Sequence, residues 1–123
     1  MPHLDAAQVA ALDQANFFAR VADFVCAHSP VPAYREAARD KPLREALWAP
    51  HWTALRDSSE RDAALFMCFL LACATLHIDV TRAAAAIRVS TDPSQSMQQF
   101  LAERGLLPAP AFDAALTRPA GAR

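Results

Sequence analysis

The stretch Ala63 to Leu76 reads AALFMCFLLACATL, fourteen residues of which only Thr75 carries a polar side-chain group. Wound into a helix, this run has no polar face. A helix that is apolar all round is either buried in a core or set in a membrane. Crossing a bilayer takes about 20 apolar residues. The run therefore predicts a buried central helix, over about residues 59–77, with amphipathic helices packed around it. Its start is marked upstream. Ser58 or Ser59 is placed to N-cap, and Glu60 and Asp62 put negative charge in the first turn, where the helix dipole favours it.

Composition agrees. Among 123 residues there are twenty-nine alanines and two glycines, the best and nearly the worst helix formers. No stretch alternates apolar and polar residues over the length of a strand. The expectation is all-α: a single compact helical bundle of about five or six helices. It forms one domain over residues 1–116, and residues 117–123, TRPAGAR, make a frayed tail with nothing to bury.

Outside the central run, the chain is cut by prolines and caps. Residues 4–28 predict a first helix with Val9, Leu12, Phe17, Phe18, Val21, Phe24 and Val25 at its apolar positions. Asn16 sits close to that stripe, either as a buried hydrogen-bonding group or at the edge of a partner surface. Ser29-Pro30-Val31-Pro32 ends the helix. Short helices follow: Tyr34 to Arg39, then one capped by Asp40 with Pro42 in its first turn, then a turn begun at Pro50. Asp79 caps a helix over Val80 to Val89, and Asp92 caps one that starts at Pro93 with Gln95 at the capping-box spacing. Gly105 is the C-cap, and AFDAAL, residues 111–116, is a last short turn.

Several function classes are disfavoured. Net charge is −1, with residues 1–57 summing to −1 and residues 58–123 to 0. Neither half is basic, so there is no electrostatic footprint for non-specific nucleic-acid binding or for an anionic membrane. MPHLDAAQ lacks both a positive start and an apolar signal core, which predicts a cytoplasmic protein. Three cysteines, an odd number, read as free thiols. Cys73 and His77 stand at i and i+4, as two metal ligands would, and Cys26 and His28 could in principle complete a site. With no CxxC, and Cys68 on another face, buried core is the better account, so no cofactor or metal is expected. No serine or cysteine sits in a glycine turn, and no phosphate-cradling loop exists, so the chain is not expected to be an enzyme.

Residues 78–108 read IDVTRAAAAIRVSTDPSQSMQQFLAERGLLP. Ala84, Ile87, Val89, Ser90 and Gly105-Leu106-Leu107-Pro108 make this quarter of the chain similar to the first half of MerR-type regulators. The resemblance implies a helix-turn-helix-like DNA-binding regulator using residues 79–107, with Ser94, Gln95, Gln98 and Gln99 facing the major groove. The departures are specific. The usual turn glycine is Arg88, the loop Thr91-Asp92-Pro93 is long, and the second helix has no arginine or lysine before Arg104. Phosphate contacts normally need those cations.

The first expectation is therefore a small bacterial protein-binding module, of the immunity-protein, antitoxin, adaptor or secretion-chaperone type. The bacterial source rests on a usage high in alanine and arginine with a single lysine. Its partner would be another protein, with a homodimer through the alanine-rich first helix as the further option. Trp48 and Trp52 flank Pro50 with His51 between them; Tyr34 precedes, and Arg35, Arg39, Arg44 and Arg56 surround these aromatics. Trp, Tyr and Arg dominate interface hot spots, so these eight residues are the expected contact set. The competing account is that both tryptophans cover one end of the central helix.

Overall fold

Acidic and hydroxyl caps divide the chain where the sequence places them. The computed structural model describes residues 6–106, without the side chains of residues 6, 7, 9–11 and 60. Seven α-helices run α1 (Ala6–His28), α2 (Pro32–Arg39), α3 (Lys41–Trp48), α4 (Trp52–Arg56), α5 (Glu60–Thr75), α6 (Val80–Arg88) and α7 (Pro93–Glu103). A 3₁₀ turn, Ala49–His51, carries α3 into α4 around Pro50. Taken with that turn, α3 and α4 form one broken helix. The architecture is the expected all-α bundle, with no strand among the described residues.

Local side-chain bonds fix the helix starts. The Leu43 amide donates to Asp40 at 3.2 Å, the Asp62 amide to Ser59 at 3.1 Å, the Thr81 amide to Asp79 at 2.9 Å and the Gln95 amide to Asp92 at 3.1 Å. Each satisfies one of the orphan donors of a first turn. Two helices end in left-handed residues. After α7, Gly105 has φ +66°, and the Leu106 amide donates to Leu101. After α5 the same geometry falls on His77, φ +57°, with the Ile78 amide donating to Cys73. Both are Schellman closures, the second without glycine.

α5 touches each of the other six helices. Its residues from Ala63 to Cys73 are buried, apart from half-buried Phe66. Thr75, the one polar side chain in the run, donates to the Leu71 carbonyl at 2.9 Å, within its own helix. No helix among the described residues is long and apolar enough to cross a membrane.

Three residues lie differently from their sequence-based expectation. Leu12 is 49% exposed, and α1 first enters the core at Phe17. Tyr34 and Trp48 are both 0% exposed. An all-round apolar α5 must be covered on every side, and these two rings supply that cover. Their polar ends are satisfied by α5 itself: the Tyr34 hydroxyl donates to the Cys68 carbonyl at 3.0 Å, and the Trp48 indole donates to Met67 at 3.0 Å. Neither ring offers contact surface. The expected turn at residues 111–116 and the tail at residues 117–123 lie outside the described residues.

Candidate recognition groove

Phe17 and Trp52 are 6.2 Å apart, centroid to centroid, and Phe18 meets Trp48 and Trp52 edge-on at 5.3 and 5.7 Å. Trp48 is the inner member of this aromatic group. Trp52, two residues beyond Pro50, is the outer member and only partly buried. The proline break thus separates the pair, sending one tryptophan into the core and the other to its margin.

Trp52 lines an open groove of about 460 Å³ between α1, α4 and the start of α5. Asp13, Asn16, Phe17 and Arg20 come from α1, at the i, i+3, i+4 and i+7 spacing of one helix face. Trp52, Leu55 and Arg56 come from α4, and Ser58 and Ala63 close the end. Phe17 and Leu55 are largely buried floor, while Asp13, Asn16, Arg20 and Arg56 are exposed rim. The Arg20 guanidinium lies 5.2 Å from the Phe17 ring centroid. The groove thus has an apolar floor and a polar, mixed-charge rim.

Of the eight expected contact residues, only Trp52 and Arg56 line this groove. His51 is half-buried, its ring edge-on to Phe66 at 5.3 Å. Arg44 donates to the Ala38 carbonyl at 3.1 Å, closing the end of α2, with its Nε buried and unpartnered. Arg39 is exposed, and the Arg35 carbonyl accepts from the Cys26 thiol at 3.8 Å. The sequence marks Asn16 on α1 as a candidate edge of a partner surface and α1 as a candidate dimer face, but not Asp13, Phe17 or Arg20 as contact residues.

The helix expected to read DNA is differently engaged. Ser94 donates to Asp62 at 3.1 Å, and Gln99 donates to Glu103 at 3.0 Å. Gln95 is exposed and Gln98 half-buried. A carboxylate on the first turn of α7 opposes a phosphate there. Cys73 is buried while His77 leaves the helix in its left-handed turn and is exposed, so the two do not share a face. Among the described residues, no three His, Cys, Asp or Glu side chains group as a metal site would. No protein-family model, curated protein or solved structure matches this chain.

Proposed function

We propose that this chain is a non-enzymatic recognition module that binds another polypeptide through the α1–α4 groove. The observation that carries the reading is Trp52. It is a large aromatic, partly exposed at the margin of the core, beside the arginine Arg56, in an open groove. Aromatic and arginine side chains so placed are the usual anchors of protein interfaces.

The thiols favour a non-catalytic reading. Burial pushes Cys68 from 9.0 up to about 12 and raises Cys73 as well. A nucleophilic cysteine needs the opposite shift. The DNA-binding alternative is weakened by the Asp62 carboxylate on Ser94 and by the balanced charge of residues 78–108.

The test is capture by tagged protein from the source lysate, with and without nuclease. A polypeptide retained stoichiometrically in both conditions supports the reading. Nucleic acid retained instead, with proteins lost on nuclease treatment, transfers the function to α6 and α7.

A further inference from the structure

α6 is the one α-helix among the described residues with no buried side chain. It is nine residues long, and its apolar stripe, Val80, Ala83, Ala84 and Ile87, is only partly covered. Of these four, Val80 alone packs against the buried core. No hydrogen bond or ion pair joins residues 79–89 to another helix among the described residues. One side-chain bond crosses the far end, the Ser96 hydroxyl donating to Ser90 at 2.8 Å. The neighbouring α7 is held quite differently. It buries Leu101, packs Met97 and Phe100 against the core, and bonds Ser94 to Asp62.

Both flanking helices are closed without α6. α5 ends in its own Schellman closure, the Ile78 amide donating to Cys73 around left-handed His77. α7 starts from its own cap, the Gln95 amide donating to Asp92. The α6 cap is internal too, since Asp79 accepts from the Thr81 and Arg82 amides. Residues 79–91 can therefore leave while the closures on either side stay intact. A helix this short is marginal on its own. Once undocked it melts, and the backbone entropy it regains favours release. Few buried contacts and a solvent-exposed backbone mark the segments of a fold that open first.

We propose that residues 79–91 are a detachable segment of the bundle, opening as one unit while α1–α5 and α7 stay folded. Each opening releases the α6 stripe to solvent, together with Val89, which is exposed already. The α1–α4 groove is built from elements outside this segment.

The experiment is amide hydrogen exchange on the full chain, read residue by residue by NMR at several urea concentrations below the unfolding transition. Amides of residues 84–88 should share one protection factor within about threefold, at least about a hundredfold below the most protected amides of α5. Their exchange should be nearly independent of urea, because opening one short helix exposes little surface, whereas exchange in α5 should rise steeply. Tyr34→Phe separates the two openings. Its lost bond lies between α2 and α5, so α5 exchange should speed by about threefold to tenfold while α6 rates stay within about twofold. Three results would overturn the proposal: α6 protection and urea dependence equal to those of α5, protection in α6 graded inward from its ends as in simple fraying, or α6 exchange that accelerates together with α5 in Tyr34→Phe.

Discussion

The indole Nε1 of Trp48 donates to the carbonyl oxygen of Met67 at 3.0 Å. That carbonyl sits on the central helix, one residue before the carbonyl that accepts from Tyr34. Two amphipathic rings from separate helices thus hang on successive carbonyls of α5, and they position the proline-broken segment against it. Trp52, four residues past Trp48, has no such bond among the described residues and is left at the groove. The two tryptophans should therefore separate in mutagenesis. Trp48→Ala should cost about 3–5 kcal/mol by urea denaturation, the range for a buried large aromatic. Trp52→Ala should cost less than half of that and leave a cooperative transition.

Tyr34→Phe keeps the ring and removes only its donor. The Cys68 carbonyl lies within α5 and retains its helical acceptor role, so the expected loss is about 0.5–1.5 kcal/mol. A loss above about 3 kcal/mol would mean that the hydroxyl supports more than this one bond.

Alkaline pH should destabilise the fold. Burial raises the Cys68 thiol from 9.0 to about 12. Burial, and then the neighbouring Cys68, raises the Tyr34 phenol well above 10.0. Both groups hold their protons more tightly folded than unfolded. Their stabilisation is complete below pH about 9 and is lost as pH rises from there, because the unfolded chain releases protons that the fold keeps. Urea midpoints should be flat below pH about 9 and fall by pH about 11. In Cys68→Ala the fall should be shallower, with Cys73, whose thiol burial also raises, and Tyr34 still contributing.

His77 occupies a left-handed conformation that costs a residue with a Cβ roughly 1–2 kcal/mol. Glycine removes that strain but loses more entropy on folding. His77→Gly should therefore gain up to about 1 kcal/mol, seen as a melting temperature raised by a few degrees. His77→Ala, which keeps the Cβ, should give no such rise.

Leu70 is buried in the middle of α5. Leu70→Asp should abolish the thermal transition, because an unpaired buried carboxylate costs several kcal/mol against a total stability of about 5–15. A retained transition would show that α5 is not the core helix.

The parts of the fold set by local chemistry were legible. Residues 63–76 have no polar face, so α5 had to be central. Asp40, Ser59, Asp79 and Asp92 cap within three residues of themselves, so the helix starts could be read directly. The site was only half legible. Whether Tyr34, Trp48 or Trp52 faces α5 depends on the rotation of helices around Pro50, which nearby residues do not determine. Tyr34, Ala37 and Ala38 do form a short apolar stripe, and that was the available sign that Tyr34 points inward. Asp13, Asn16, Phe17 and Arg20 reach the groove from a helix about thirty to forty positions upstream of Trp52. Only tertiary packing joins them to α4.

The most direct measurement is retention by immobilised protein of its own untagged copy and of lysate polypeptides, compared between wild type and Trp52→Ala. Wild type should retain a stoichiometric polypeptide. Trp52→Ala should bind it at least about thirtyfold more weakly, the equivalent of a 2 kcal/mol anchor, while still unfolding in one cooperative transition. Equal retention by the two proteins would contradict recognition through the groove.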